Sequence, residues 1–376
     1  MKKILFIFGT RPEAIKLAPV IKECSNQKTL KVFVCITAQH RELLDDVLTF
    51  FQIIPDYDLD LMKPNQSLSQ LTSEGIRTLD KVFSSCNPDI TITQGDTTTA
   101  FIGSLVSFYH RCPVAHVEAG LRSNNILSPY PEEANRKFIS SITNLHFTPT
   151  ELSKNNLISE SITKNIYVVG NTVIDALHLG LETIKNKSSY FYEDFFKRKG
   201  VDFNKRILLL TLHRRESYGE AIESISEAIK TIAKLYDDVQ IICPLHPNPN
   251  IKLKIKEFLN GFPNILLTSP LNYPSFIYLL NKSFIVLSDS GGVQEEAPSL
   301  GKPVLVLRNT TERPEAIKAG SSIKVGTCKD VILKNTQNLL DNQEKYQTMA
   351  TISNPYGKGD SSIKITNHLL KYFITN

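Results

Sequence analysis

The sequence predicts an α/β protein with two parallel sheets. Short apolar runs of strand length alternate with segments of helical spacing, and this alternation restarts after a more polar stretch at 186–205. A chain of 376 residues also favours two domains over one. We therefore expect two Rossmann-like domains, one formed by 1–170 and completed by a helix at 358–376, the other formed by 171–357.

Six apolar runs in the first half predict strands, at 2–8, 32–37, 89–93, 113–117, 146–148 and 166–169. Helical spacing follows most of these runs, at 13–24, at 43–51, in a segment ending at 109, at 131–142 and from 151 onward. A parallel pair of strands needs a long crossover connection, which is usually a helix. Strands separated by helices are therefore expected to pair in parallel. Helices are therefore expected on both faces of the sheet.

The second half repeats this pattern. Its predicted strands lie at 207–210, 239–243, 265–268, 284–287, 304–307 and 323–325, with helices between them. A last helix at 361–373 follows the sequence NPYG at 354–357. Such a Pro/Gly break lets the chain change direction, so this helix is expected to return to the first domain.

Composition narrows the class of protein. With 41% hydrophobic and 22% charged residues, the chain is typical of soluble globular enzymes. The net charge of +5 is spread along the chain, which suits an anionic small molecule and gives no argument for nucleic acid. No apolar run is long enough to cross a membrane, and the opening strand-like run at 2–8 lacks a signal-peptide cleavage site.

The six cysteines are scattered, and none forms a CxxC pair. Their spacing to histidine does not suggest a structural zinc site. We expect reduced, mostly buried thiols in a cytoplasmic protein.

A glycine-rich turn in the second half has the pattern of an anion-binding site. The predicted strand at 284–287 leads into SDSGG, and a helical pattern then runs until Gly301, a typical C-cap. The first N–H groups of a helix have no partner within the helix, and Gly291 and Gly292 let a phosphate approach them closely. Glu296 lies one turn in, where a carboxylate can hold a ribose diol. An ordinary strand-to-helix turn also fits, because two glycines are less specific than a full dinucleotide fingerprint.

Charged side chains follow predicted strands or open helices in both halves: Arg11, Lys16, Asp96, Glu118, Glu132, Glu133, His213 and Arg313. Ligands of doubly wound sheets bind beyond the carboxyl ends of the strands. Carboxylates there, next to a cationic phosphate site, suit acid/base chemistry. Several of these residues also have a simpler explanation. Asp96 fits a helix N-cap, Glu132 and Glu133 fit the positive end of a helix, and His213 fits an ordinary loop histidine.

Taken together, ten segments resemble the non-hydrolysing UDP-N-acetylglucosamine 2-epimerases. They are GTRPEAIK at 9–16, TAQHRELLD at 37–45, GDTTT at 95–99, HVEAGLR at 116–122, SPYPEEANR at 128–136, GNTVIDAL at 170–177, HRRES at 213–217, SDSGGVQEEAPSLGKPVLVLR at 288–308, TTERPEA at 310–316 and NPYGKG at 354–359. The resemblance covers essentially the whole chain, and ten motifs in this order make it specific.

This resemblance implies a glycosyltransferase-B-like arrangement with the active site in the interdomain cleft. It implies reversible conversion of UDP-N-acetylglucosamine to UDP-N-acetylmannosamine, by loss of the C2 proton and of UDP and return of both through 2-acetamidoglucal. The product would supply cell-surface polysaccharide synthesis. The expected partners are the nucleotide sugar, UDP and a second copy of the chain in a homodimer. We expect no metal and no cofactor, because the sequence has neither a metal-ligand cluster nor a dinucleotide fingerprint.

By motif, the resemblance also implies the site residues. The acid/base carboxylates would be Asp96, Glu118 and Glu132, with His213 as a further catalytic or phosphate-contacting group. Substrate binding would use Arg11 and Lys16 on the diphosphate, Ser290, Gly291 and Gly292 on phosphate, Glu296 on the ribose, Phe276 near uracil, and Arg313 beside the nucleotide.

Some bacterial relatives also bind UDP-N-acetylglucosamine at a second, activating site. Gln39, Glu42, Arg214 and His246 match positions used there. Asn65 stands where those relatives have arginine, so the sequence leaves activation open.

Three other enzymes compete with this interpretation: a hydrolysing 2-epimerase, an epimerase of a further-modified UDP-sugar, and a UDP-sugar glycosyltransferase. The runs PEAIK and TTERPEA are absent from the hydrolysing relatives and favour the non-hydrolysing class. Three acids and a histidine after strands fit epimerisation better than glycosyl transfer.

Overall fold

A computed structural model describes residues 1–38, 41–63, 65–212, 220–245, 248–311 and 313–375, apart from the side chains of residues 42, 187–189 and 250. Packing divides the chain into two compact units. Unit 1 consists of Met1–His178 and Tyr356–Asn376, and unit 2 of Leu179–Pro355.

Unit 1 contains a seven-stranded, fully parallel sheet in the order β3-β2-β1-β4-β5-β6-β7. Its strands are β1 Lys2–Phe8, β2 Leu30–Ile36, β3 Tyr57–Asp58, β4 Ile90–Gln94, β5 Val114–Val117, β6 Leu145–Thr148 and β7 Ile166–Val168. The central strand β1 is apolar and fully buried from Ile4 to Phe8. This burial is what a parallel sheet covered on both faces requires.

In the part of unit 1 that the structure describes, the helices are α1 Arg11–Ser25, α2 Arg41–Phe51, α3 Leu68–Cys86, α4 Thr98–Tyr109, α5 Glu132–Ile142, α6 Glu151–Ser159, α7 Thr172–Arg198 and α15 Ser361–Thr375. The first of them, α1, begins at a turn fastened by Glu13. The Glu13 carboxylate accepts hydrogen bonds from the backbone N–H of Thr10 at 2.8 Å and from the Thr97 hydroxyl at 2.7 Å. This carboxylate therefore joins the turn after β1 to the turn after β4.

The predicted domain boundaries lie at 170/171 and 357/358, whereas packing divides the chain between His178 and Leu179 and between Pro355 and Tyr356. The helix α7 begins just after the first predicted boundary and runs without a break through the observed one. The late helix α15 packs on α1. Both the backbone N–H and the hydroxyl of Ser362 donate to Asp175 of α7 at 2.7 Å.

Unit 2 contains a six-stranded, fully parallel sheet in the order β10-β9-β8-β11-β12-β13. Its strands are β8 Arg206–Thr211, β9 Val239–Pro244, β10 Ile265–Thr268, β11 Ile285–Ser288, β12 Val304–Val306 and β13 Ser322–Lys324. Its helices are α8 Glu220–Leu235, α9 Pro249–Leu259, α10 Tyr273–Lys282, α11 Gly291–Glu296 with a 3₁₀ turn Ala297–Leu300, α12 Pro314–Ala319, α13 Lys329–Asp341 and α14 Gln343–Ala350. The prediction of two parallel α/β units is confirmed.

The direction of winding reverses between β1 and β4 in unit 1 and between β8 and β11 in unit 2. Each sheet therefore has the Rossmann-type strand order, and the crevice for a ligand opens where the order reverses. In unit 1 the turns after β1 and β4 lie at this point. In unit 2 the turn after β11 does.

Candidate active site

The turn after β4 carries Asp96, whose carboxylate is held by an arginine of α5. Asp96 Oδ2 accepts from Arg136 Nε at 2.9 Å and from Arg136 Nη2 at 2.6 Å. Asn135 of the same helix donates to the backbone oxygen of Asp96 at 2.9 Å. Burial alone would lower the pKa of Arg136, but the charges and hydrogen bonds of Asp96 and Glu133 outweigh it and raise the pKa. Asp96 therefore faces a permanently charged partner.

The two glutamates that open α5 differ in their surroundings. Glu133 is fully buried and accepts from Arg136 at 2.8 Å and from the backbone N–H groups of Ser123 at 3.0 Å and Asn124 at 3.2 Å. It ties the loop after β5 to the helix. Glu132 Oε2 is buried, and within the described ranges it has no hydrogen-bond partner. Of the two, Glu132 is thus the one with an oxygen available for a ligand.

Glu118 follows β5, and its carboxylate accepts from side chains of neighbouring segments. Lys16 Nζ is 2.6 Å from Glu118 Oε1, Asn171 Nδ2 is 3.5 Å from the same oxygen, and Gln94 Nε2 donates to Oε2. The Glu118 backbone has φ of 67°, in the left-handed region that a residue with a Cβ rarely occupies. Backbone conformations of this kind occur mainly where the surrounding structure imposes them, often at functional sites.

Three contacts join the end of β4 to the end of β5. Gln94 donates to Glu118, the Gly95 N–H donates to the Val117 oxygen at 3.0 Å, and His116 Nε2 lies 2.7 Å from the Gly95 oxygen. The carboxylates that follow these strands are therefore held in a fixed relation to one another.

His116 and His146 are neighbours across β5 and β6 and are both buried. Burial lowers the pKa of each imidazole to about 4, so both rings are neutral near pH 7. Among the residues described, neither Nδ1 atom has a hydrogen-bond partner. Both histidines are therefore part of the core of unit 1.

The two cations predicted for the diphosphate lie on α1. Arg11 is the first residue of the helix and is half-buried. Lys16 stands one turn further on, where it pairs with Glu118. Beneath them, burial raises the pKa of the Glu13 carboxyl although four hydrogen bonds favour its charged form.

In unit 2, the chain leaves β11 through Asp289 and enters α11 at Gly291, with Ser290 as N-cap. The Ser290 side chain makes no capping hydrogen bond. A Cβ added to Gly292 would meet nothing within 4 Å, so the space above this backbone is open. Glu296, the last residue of α11, is buried.

The loop before α12 is fastened to α11. The Thr311 hydroxyl donates to Gln294 Oε1 at 3.0 Å, and Gln294 Nε2 donates to the Ser290 oxygen at 3.1 Å. Arg313 forms an ion pair with Glu295, and both side chains are largely buried. Phe276 lies half-buried on α10. Unit 2 thus gathers Ser290, Gly291, Gly292, Glu296 and Arg313 around one turn and the loop bonded to it.

Four of the predicted residues, Gln39, His213, Arg214 and His246, lie outside the described residues, as does the side chain of Glu42. In the part of the chain that is described, no group of three or more His, Cys, Asp or Glu side chains is arranged to hold a metal ion. Within the same ranges, no helix combines the length and apolar character needed to span a membrane.

Two residues of the site were missed by sequence reasoning. Arg136 stands four residues after Glu132 and three after Glu133, a helical spacing that could have indicated a shared face. Gln94 is the polar residue that ends a fully buried strand, directly before the turn with Asp96. That position alone marks it for the ligand edge of the sheet.

Two parallel α/β units, one with carboxylates after its strands and one with a Gly-Gly turn, have the form of a glycosyltransferase-B-like nucleotide-sugar protein. A family model described as UDP-N-acetylglucosamine 2-epimerase matches residues 22–370. The chain therefore belongs to the UDP-N-acetylglucosamine 2-epimerase family.

Individual relatives agree over the whole length. A Neisseria meningitidis serogroup A protein named UDP-N-acetylglucosamine 2-epimerase is 50% identical, over 98% of this chain and 99% of that protein. A Campylobacter jejuni protein with this name is 47% identical, over 99% of this chain and 98% of its own.

Solved structures agree as well. The Neisseria meningitidis enzyme, crystallised with UDP-GlcNAc, superposes with a TM-score of 0.91 at 50% identity, over 98% of this chain and all of that one. The Methanocaldococcus jannaschii enzyme, in complex with UDP-GlcNAc and UDP, gives 0.81 at 34% identity, over 99% of this chain and 100% of its own.

The buried histidine pair predicts a pH-dependent stability of unit 1. A histidine whose pKa falls from about 6.5 unfolded to about 4 folded binds more protons when unfolded, so the free energy of unfolding rises with pH between these values. Between these two values each ring adds up to about 1.4 kcal/mol per pH unit to the slope, so the stability has its full value above pH 6.5 and is lost toward pH 4. His146→Gln should flatten this slope in urea unfolding, whereas replacing the exposed His110 by Gln should leave it. An unchanged slope in His146→Gln would contradict the assignment.

Proposed function

We propose that this protein is a non-hydrolysing 2-epimerase that interconverts UDP-N-acetylglucosamine and UDP-N-acetylmannosamine. The observation that carries the proposal is the full-length relationship to the Neisseria meningitidis enzyme, at 50% identity. The carboxylates that follow β4 and β5 and open α5 support it, because the reaction moves a proton on and off carbon.

The proposed reaction has two halves. A carboxylate takes the C2 proton while the bond between C1 and the diphosphate oxygen breaks, which leaves 2-acetamidoglucal and UDP. The diphosphate oxygen then adds back to C1, and a second acid gives a proton to the opposite face of C2. Atoms and charge balance without an oxidant, so no redox cofactor is required.

Unit 1 would supply the carboxylates. Asp96, Glu118 and Glu132 are proposed for proton transfer, and His213, from the part of the chain assigned to unit 2, as a further catalytic or phosphate-contacting group. Their surroundings differ: Asp96 faces Arg136, Glu118 faces Lys16, and Glu132 has a buried oxygen without a partner among the residues described. A reaction that needs both an acid and a base uses carboxyls in different surroundings.

Unit 2 would bind the nucleotide. Backbone N–H groups at Ser290, Gly291 and Gly292 are proposed for phosphate, and the open space at Gly292 supports this. Glu296 would hold the ribose, Phe276 would lie near uracil and Arg313 beside the nucleotide. Arg11 and Lys16 of unit 1 would stabilise the negative charge that develops on the leaving diphosphate. Binding of a second, activating nucleotide sugar through Gln39, Glu42, Arg214 and His246 stays a prediction.

We further propose a cytoplasmic enzyme whose product supplies cell-surface polysaccharides such as capsule. All six cysteines, which lie in the described part of the chain, are unpaired, and five are buried. Burial raises the pKa of Cys24 to about 12, which keeps its thiol protonated and unreactive. Unpaired cysteines are usual in reducing compartments.

The direct test is incubation with UDP-N-acetylglucosamine alone in deuterium oxide, followed by NMR. The manno epimer is expected, with deuterium at C2, because the returning proton comes from a carboxyl that exchanges with solvent. Activity should survive exhaustive chelation and need no added NAD. Free sugar as the main product, or product without label at C2, would contradict the proposal.

Binding and chemistry should separate between the two units. Gly292→Val fills space that is empty in this protein, so it should leave the fold intact and weaken UDP binding by about 10²-fold or more. Asp96→Asn keeps the shape of the side chain but removes the acid/base group. It should lower turnover by about 10²-fold and leave the Kd for UDP within about tenfold. Calorimetric titration with UDP and turnover on each variant measure the two effects.

A matched control for Asp96→Asn is Glu160→Gln. Arg122 donates to Glu160 through Nε at 2.9 Å and Nη2 at 2.6 Å, as Arg136 donates to Asp96 through the same two atoms. The two acidic side chains are also similarly exposed. The control therefore loses an equivalent ion pair but should keep near-native turnover. If Asp96→Asn also keeps it, Asp96 only anchors Arg136.

We also propose a homodimer formed through α4 and α5. These helices pack together and leave Phe108, Tyr109 and Phe138 more than half exposed. Light scattering should give twice the mass of one chain, and Phe138→Ser should raise the dimer dissociation constant. Phe191→Ser on α7, also exposed, is the control and should not. A monomer at all concentrations would refute this interface.

A further inference from the structure

We propose that Gln94 is a positioning residue that holds the Glu118 carboxylate in its working orientation. This inference rests on the proposed epimerase function and deepens it. It assigns to Gln94 a role in the chemical step and none in nucleotide binding. Three features support this role: the contact that Gln94 makes, the anchoring of Glu118, and the neutrality of the amide group.

Gln94 ends β4 and is 3% exposed. Its Nε2 donates to Glu118 Oε2. An ionised carboxylate only accepts hydrogen bonds, so the amide nitrogen must be the atom that faces it. An amide buried without a hydrogen-bond partner destabilises the folded state. The contact with Glu118 therefore stabilises both side chains in one conformation.

Lys16 lies 2.6 Å and Asn171 3.5 Å from Glu118 Oε1, while Gln94 donates to Oε2. Donors on both oxygens fix the plane of a carboxylate more firmly than donors on one oxygen. Proton transfer to or from carbon needs a defined donor-to-acceptor line, and small misplacements lower the rate strongly. Gln94 thus helps to determine where Oε2 points.

The backbone supports the same orientation. The Gly95 N–H donates to the Val117 oxygen, and His116 reaches back to the Gly95 oxygen at 2.7 Å. These contacts fix the spacing between the Gln94 and Glu118 backbones. The side-chain amide then spans a gap that a shorter or apolar residue cannot bridge.

The neutrality of glutamine matters as much as its reach. A second carboxylate at this position would lie against Glu118, and two carboxyls in contact share a proton rather than both ionise. An amide donates a hydrogen bond and adds no charge. It favours the charged form of Glu118, which is the form that accepts a proton.

Two variants test the proposal. Gln94→Met removes the donor at similar volume and should lower kcat by about 10- to 10²-fold, with KM and the Kd for UDP within about threefold. Loss of a donor disfavours the carboxylate, so the acidic limb of the kcat/KM profile should move to higher pH. Gln94→Glu keeps the shape and should move that limb further, by more than about one pH unit. The pH profile of Gln94→Glu tests the proposal even if Gln94→Met disturbs the packing.

The control is Gln240→Met in unit 2. Gln240 is also buried, at 7% exposure, and its amide bonds only to backbone, donating to the Gly200 oxygen at 2.8 Å and accepting from the Asp202 N–H at 2.9 Å. Its loss should lower stability without moving the pH profile. Near-native turnover and an unmoved limb in both Gln94 variants would overturn the proposal, as would a parallel loss of UDP binding. Wild-type protein without activity on UDP-N-acetylglucosamine would instead refute the proposed function.

Discussion

The ion pair between Lys16 and Glu118 is the interaction on which unit 1 is built. An uncompensated charge at this depth would cost several kcal/mol, so a buried carboxylate needs a cation and donors around it. The ion pair joins α1 to the end of β5, and Gln94 of β4 and Asn171, just before α7, donate to the same carboxylate. Three other parts of the chain thus meet at one carboxylate.

Much of the fold could be predicted from the sequence, since buried parallel strands leave apolar runs that are easy to find. The stretch from 52 to 88 was missed because β3 has only two residues and α3 buries a sparse stripe, Leu71, Gly75, Leu79 and Val82, among polar neighbours. The domain boundary was harder still. A single helix, α7, crosses it, so no change of composition marks the residue where packing switches between units.

The candidate site shows the same limit. Asp96, Glu118 and Glu132 could be found because residues after strands and at helix starts face the ligand edge of a sheet. Their partners could not. Arg136 reaches Asp96 across 40 residues and Gln94 reaches Glu118 across 24, and such pairings depend on side-chain conformations that periodicity does not contain. The ion pair of Lys16 with Glu118 is another pairing that periodicity does not contain. The sequence predicts Lys16 only as a contact of the diphosphate.

The insertion of unit 2 within unit 1 has a consequence for biosynthesis. The ribosome completes every strand of the first sheet by Val168, yet α15 is translated only after all of unit 2. Until then α1 lacks its cover, Cys24 lacks the Thr366 hydroxyl 3.4 Å from its sulfur, and Asp175 lacks Ser362. Until the second half has been made, the first unit therefore exposes an apolar flank to which chaperones can bind. A premature stop anywhere in unit 2 would leave that flank exposed for good, and protein quality control would remove the product.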